Sequence, residues 1–224
     1  MDTRDIGALK ALTIRNAHSL LGVDSVRAVA GHGLDGDVHA DALSPRQLLL
    51  AGAPAYQDFS LPPHALRENL LIDVDTASLV SGTVLQVGSE VRLRLMFQCE
   101  ACGQLDAVAP GLSQSIGIRR GMLARVLTGG VLHRGDTVRD LGLLHMPWSD
   151  DWRKRIARVL DAVPAGSVIE YKHLARLAGV QSSYCRAFPR LIRTLEPRYA
   201  GRAVPAQSAS TQPRWEGHGL FQRA

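Results

Sequence analysis

Two thiols stand three positions apart in Cys99-Glu100-Ala101-Cys102, and the chain has only one other cysteine, Cys185. A thiolate is both a nucleophile and a soft metal ligand, so this stretch is the first candidate for chemistry. A structural zinc site needs four ligands, and the sequence offers no second CxxC or HxxxH pair. A redox dithiol belongs at a helix N-terminus that follows a strand, within an α/β pattern. Two buried, inert cysteines are the third reading, and spacing alone leaves all three open. Four further clusters carry polar chemistry: Gly33-Leu34-Asp35-Gly36-Asp37-Val38-His39, Arg46-Gln47, Arg67-Glu68-Asn69-Leu70 and Arg119-Arg120-Gly121. Glycines let backbone amides approach an anion, and His39, Arg46 and Arg120 supply counter-charges. Taken singly, each cluster also reads as a Gly-rich turn with solvated charges.

The elements that must position these groups change character along the chain. From Ala8 to about Val138 the pattern is one of short runs such as LKALTIR, SVRAVAG, GTVLQVG, EVRLRLMF and RGDTVRDL, many alternating with period two and separated by Gly. That pattern predicts an antiparallel barrel or sandwich with a few helices between strands. HADALSPRQLLLAG and LPPHALRENLL read as loops leading into short helical turns. Beyond LGLLHMPWSDD, apolar residues at Trp152, Ile156, Val159, Leu160 and Val163 take helical spacing, with Ser149 or Asp150 as the cap. A second helix is expected over 171–178, stopped by Gly179. A third is expected over 182–195, with Pro189 near its start or at a kink.

With 46% hydrophobic and 21% charged residues the chain has the composition of a folded soluble protein, and with only 5% aromatics its core must be aliphatic. The mixed charges of MDTRDIGALK lack the apolar stretch of a secretory signal, and LLLAGAPAY is too short to span a bilayer. A cytoplasmic location follows, where three cysteines are no disulfide framework. The charge is uneven. Residues 151–224 hold 13 Lys and Arg against 5 Asp and Glu, while the first 150 hold 13 against 16. The basic excess points to a second domain that meets a polyanion.

The order of the clusters resembles the MOSC domain family, named for the C-terminal domain of molybdenum cofactor sulfurases. The matching positions are Gly36-Asp37-Val38-His39, Arg46-Gln47, Glu68-Asn69-Leu70, the Gly82 to Gly88 hairpin, Cys102, Arg120-Gly121 and Gly135-Asp136, over residues 8–140. The resemblance implies a mainly β fold, a β-barrel with a few helices, over 1–145. It also implies a molybdenum cofactor (molybdopterin), with Cys102 as thiolate ligand or sulfur-handling residue. In this sequence Ala101 stands where the family commonly has Pro. Cofactor contacts are expected from Gly36, His39, Arg46, Gln47, Asn69, Arg120 and Gly121, and proton relay from Asp37, His39 or Glu68. Characterised relatives include reductases of N-hydroxylated substrates, among them N-hydroxylated purines and amidoximes. Without a flavin, haem or iron-sulfur ligand set in the chain, electrons would come from an external donor protein.

The basic segment resembles the DNA-binding domain of O6-alkylguanine-DNA alkyltransferases and alkyltransferase-like proteins, over 152–207, through Val163-Pro164-Ala165-Gly166-Ser167-Val168, Tyr171-Lys172-His173-Leu174-Ala175 and Arg186-Ala187. A small helical, winged-helix-like C-terminal domain is implied, with Tyr171 and Arg186 on DNA. Where the family's Pro-Cys-His-Arg site should stand, the sequence reads Val204-Pro205-Ala206-Gln207-Ser208, so alkyl transfer by that mechanism is excluded. The tail, 208–224, is expected to lack fixed order. The leading expectation is a molybdenum-dependent reductase with a DNA-binding appendage. The alternatives are a non-enzymatic DNA lesion binder and a cofactor sulfur-transfer domain.

Overall fold

The computed structural model describes residues 3–17 and 19–222. The chain divides into two compact units, Met1–Ala42 with Arg46–Trp148, and Leu43–Pro45 with Ser149–Ala224.

In the first unit, strands β1 (Arg4–Arg15), β2 (Leu20–Val23), β3 (Ser25–Val29) and β4 (Gly33–Leu34) precede β5 (Leu48–Gly52), helix α1 (Ala53–Asp58) and β6 (Leu70–Ile72). The hairpin β7 (Thr83–Val87) and β8 (Val91–Gln98) follows. A segment with the short helix α2 (Leu112–Ser115) then leads to β9 (Met122–Thr128), β10 (Gly130–His133) and β11 (Thr137–Leu143). The hydrogen-bonded order β11-β7-β8-β9-β5-β6-β1 closes because β1 also pairs with β11, so these seven strands form a barrel and β2 is appended to β1. Strands β10, β3 and β4 form a separate small sheet. Closure removes the exposed edges that an open sheet of this size would present.

Two strands lie where the sequence pattern reads as loop and helical turn. All five residues of β5 are buried, and β5 pairs in parallel with β6, Leu50 opposite Leu70. A strand covered on both faces has no polar side to alternate with, so LLLAG carries no period-two signal. The barrel is therefore not wholly antiparallel. Its interior is aliphatic, built on Leu9, Leu12, Leu50, Leu70, Leu85 and Leu93, all at most 1% exposed. A smaller cluster of Ala51, Ala55, Leu66, Leu105, Leu112 and Ile116 packs α1 against the segment after β8. Two buried arginines, Arg94 and Arg125, face each other across β8 and β9. Carbonyl oxygens receive them: Met146 O from Arg94 Nη2, and Gly31 O and Ala42 O from Arg125 Nη2.

The second unit contains α3 (Trp152–Ala162), β12 (Ile169–Glu170), α4 (Tyr171–Ala178), a 3-10 run Ser182–Ala187, α5 (Phe188–Thr194) and β13 (Ala203–Val204). Asp151, one residue beyond the expected caps, caps α3 by accepting from the Arg153 N–H. Gly179 ends α4 in a left-handed conformation. The expected third helix is split. Pro189 sits in the first turn of α5, where a missing N–H costs nothing, and the preceding turns are 3-10. β12 and β13 pair in parallel over two residues each, so among the described residues this pair is not the antiparallel hairpin of a wing. Arg155, 1% exposed, ties the unit together by donating to the carbonyls of Ala178, Ser149 and Asp150. Of the tail, 208–222 is described and 223–224 lie outside the described residues. The tail follows the chain before β12, with Val168 N–H donating to Pro213 O and Trp215 N–H donating to Val168 O. Among the described residues no helix is long and apolar enough to cross a membrane.

Candidate functional site

Asp37 lies after β4, with its carboxylate buried. It accepts from the backbone N–H of Arg15 (2.8 Å) and from Asn69 Nδ2 (2.7 Å) through Oδ2, and from the His39 N–H (2.8 Å) through Oδ1. It thereby joins the end of β1, the GDVH loop and the start of β6. Asn69 completes the junction, donating to Thr13 O (3.2 Å) and accepting from Leu49 N–H (3.0 Å). Gln47, fully buried, does the same on the other side: Nε2 donates to Gly31 O and Asp41 O, and Oε1 accepts from Val126 N–H. Both amides are fully engaged with neighbouring strands and loops, so Gln47 and Asn69 are positioning residues rather than groups turned toward a ligand.

On this frame sits a group of cations. Arg15 Nη1 donates to His39 Nε2 at 3.1 Å, and Arg15 Nη2 donates to the Arg67 carbonyl at 2.5 Å. Because a guanidinium can only donate, Nε2 is the accepting nitrogen of a neutral imidazole, and the ring proton sits on Nδ1, 3.7 Å from Asp37 Oδ1. Burial first, and then the Arg15 charge, hold the His39 pKa below its ordinary value against the pull of Asp37; Arg46 and Arg67 add to the lowering. Burial and the Arg67 and Arg120 charges likewise depress Arg15, opposed by Asp37 and by the Cys99 sulfur. Arg15 thus lies within electrostatic reach of His39, Arg67 and Arg120, and His39 also within reach of Arg46, beside one buried aspartate.

Arg120 is the decisive member. It is 7% exposed, yet its Nε and Nη1 have no hydrogen-bond partner among the described residues, and Arg15 Nε is also unsatisfied. Leaving such donors buried and empty costs about 1–3 kcal/mol each, a cost that in folded proteins marks stored strain, a functional role, or a bound water or ion. Its neighbour Arg119 has the ordinary surface arrangement, paired with Asp58 and Asp75. Glu68, 2% exposed, accepts from the Tyr56 hydroxyl at 2.6 Å. Arg67, immediately before it, has a φ of +53°, a left-handed conformation that costs a non-glycine residue free energy and that the site retains.

The glycines differ in use. Gly36, at φ +78°, has nothing within 4 Å of where a Cβ would stand, so its backbone is open to an approaching group. At Gly121, φ +123°, a Cβ would lie 2.3 Å from the Leu50 carbonyl oxygen. Its smallness admits β5 and fixes the start of β9 beside Arg120, and its carbonyl accepts from Cys99 N–H. Cys99 is buried and Cys102 half-buried, both as free thiols. Cys102 is in extended conformation at the cap of the 3-10 turn Gly103–Ala107, whereas Cys99 is the thiol that acts electrostatically on Arg15. Among the described residues no group of three or more His, Cys, Asp and Glu is poised around a metal position.

In the second unit, Tyr171 opens α4, packs edge-to-face on Phe188 at 5.9 Å, and accepts from Cys185 Sγ through its carbonyl. Arg186 is exposed in the 3-10 run.

The seven-strand barrel agrees with the comparisons to known proteins. The MOSC domain family model matches residues 39–139. Over those residues the chain is similar to a MOSC domain. The chain is similar in fold to the YuaD protein from Bacillus subtilis, at 17% identity and a TM-score of 0.57 over 62% of this chain and 97% of that one. The crystal structure of a hypothetical protein matches 86% of this chain and 93% of its own, at 17% identity and a TM-score of 0.54. YiiM from Escherichia coli gives 16% identity and a TM-score of 0.48 over 82% and 91%. For the first two, likeness at these identities is likeness of fold. No curated protein matches the chain. The MOSC match begins at His39 and ends at Arg139, so it includes Glu68, Cys102 and Arg120 but not Arg15, the β1 residue that the cradle is built around.

Proposed function

We propose that the MOSC domain binds a molybdenum cofactor and reduces N-hydroxylated substrates, N-hydroxylated bases among them, with electrons from an external donor protein. The observation that carries the reading is the buried Arg120 guanidinium, with Nε and Nη1 open, beside Arg15. Donors of this geometry and charge suit a phosphate, which the pterin of such a cofactor carries. Arg15, Arg46 and Arg120 would hold the phosphate, the open backbone at Gly36 would line its approach, and Cys102 would offer its half-buried thiolate to molybdenum. When bound, the cofactor supplies oxygen-atom transfer through a change of metal oxidation state. What the chain itself supplies is the cationic cradle and a neutral His39, whose vacant charge state can take up a proton when an anion arrives. Asp37, engaged by three N–H donors, orders the loop that presents His39.

The two thiols are separated by purification from a host that makes the cofactor. Cys102→Ser should fall to below about a tenth of the parent's molybdenum content, while Cys99→Ser retains most of it. The reverse pattern would transfer the ligand role to Cys99.

A DNA-binding role for the second unit, through Tyr171 and Arg186, is favoured by one contrast. Arg186, Arg190 and Arg193 follow one another at intervals of four and three along the helical run, all exposed and none ion-paired among the described residues. Arg153, Arg198 and Arg214 each have an acidic partner. Arg186→Ala should weaken duplex binding severalfold and lower the salt slope by about 1, with molybdenum content unchanged. An unchanged slope, or binding that ignores salt, removes this role.

A further inference from the structure

The sequence clusters do not include Tyr56, yet it occupies a position that decides what Arg120 can do. Glu68 and Arg120 are both buried, and both act electrostatically on the Tyr56 hydroxyl. A buried carboxylate and a buried guanidinium that both reach one hydroxyl are candidates for an ion pair, because each would then offset the other's desolvation. Here they form none. Among the described residues Glu68 forms no ion pair, its only side-chain hydrogen bond is the one from Tyr56, and the Arg120 guanidinium keeps two open donors. The tyrosine is itself fixed from behind: its oxygen accepts from the Leu66 N–H at 3.1 Å, and α1 is anchored through Ala55 in the cluster that holds Leu66. With the backbone N–H donating to it, the hydroxyl has one proton to give, and that proton goes to Glu68. Burial and the Glu68 charge push the Tyr56 pKa far up, so the hydroxyl stays protonated throughout the accessible pH range.

We propose that Tyr56 is a positioning residue that restrains the Glu68 carboxylate from pairing with Arg120, and so keeps the Arg120 guanidinium available to an anionic ligand. The inference rests on the reading of Arg120 as an anion site and adds the device that holds that site open. It assigns Glu68 the role of a competing internal anion, displaced to one side by a single hydrogen bond.

The test is titration calorimetry of the full chain with inorganic phosphate, on the parent, Tyr56→Phe, Glu68→Gln and the double variant. Tyr56→Phe frees the carboxylate to close on Arg120, and phosphate affinity should fall by about tenfold or more, the equivalent of about 1.4 kcal/mol. Removing the carboxylate's charge in Tyr56→Phe/Glu68→Gln should restore it to within about threefold of the parent. A purely structural tyrosine would lower thermal stability in both variants without that recovery. If Tyr56→Phe binds phosphate as the parent does, or if the double variant stays as weak as Tyr56→Phe, the inference is wrong while the anion site stands. If the parent and Glu68→Gln both fail to bind phosphate, the anion site itself is lost, and the inference with it. Should Tyr56→Phe alone prove too unstable to assay, Glu68→Gln and the double variant decide. With no competing charge to restrain they should bind equally, and weaker binding by the double variant would overturn the inference by giving Tyr56 a direct contact.

Discussion

Arg120→Met should yield a protein that is more stable than the parent and carries no pterin. The substitution removes a guanidinium that is 7% exposed with Nε and Nη1 unsatisfied, and puts in its place an unbranched apolar side chain of similar reach. Replacing a buried, incompletely satisfied charge by an apolar group is commonly neutral or favourable, and here the expected gain is about 1–3 kcal/mol. Loss of the ligand's principal counter-charge in a low-dielectric site should abolish cofactor retention. Thermal unfolding of the cofactor-free protein, read beside its pterin content when made in a competent host, checks both halves. A variant that loses stability and still carries pterin would make Arg120 a packing residue. The opposed signs are informative because a site residue is held at the expense of stability, whereas a framework residue is not.

Asn69→Leu should do the opposite and damage the fold itself. The side chain supports three buried groups at once: the Leu49 N–H, the Thr13 carbonyl and the Asp37 carboxylate. Leucine of similar volume leaves all three short of a partner, and the expected loss is on the order of 3–5 kcal/mol. Because Asn69 joins β1, β5 and β6 within the barrel, the loss should appear as a lower urea midpoint rather than as a local change. Asn69→Asp would not rescue it, since a second carboxylate would stand 2.7 Å from Asp37 Oδ2. A cost below about 1 kcal/mol would show that the junction tolerates its absence.

These two residues mark how far the sequence could be read. The runs LKALTIR, SVRAVAG, GTVLQVG and EVRLRLMF became β1, β3, β7 and β8, and the two faces are recorded most plainly in β3, whose residues are exposed and buried by turns. β5 did not announce itself, since LLLAG is buried on both faces. Asn69 and Arg120 were both visible as candidate ligand contacts, but residue type and spacing do not tell an amide engaged with two backbone groups and a carboxylate from a guanidinium left open. That distinction is made by tertiary partners. Arg15 and Tyr56 were invisible for a related reason. Arg15 ends β1 as any solvated strand terminus would, and Tyr56 lies in a short helix between two motifs. Neither has a pattern of its own; each matters through residues that the closed barrel brings near, Asp37 and Arg120 for one, Glu68 for the other. In the second unit, the helical spacing of α3 and the Gly179 stop of α4 were legible. The parallel pairing of β12 with β13 was not, because two-residue strands carry too little sequence to register.

The measurement that bears most directly on the central claim is the molybdenum and pterin content of the parent protein, purified from a host able to make the cofactor. A cradle built around Arg15 and Arg120 for a phosphate-bearing cofactor predicts close to one molybdenum and one phosphorylated pterin per chain. Protein that is folded and free of both would contradict it.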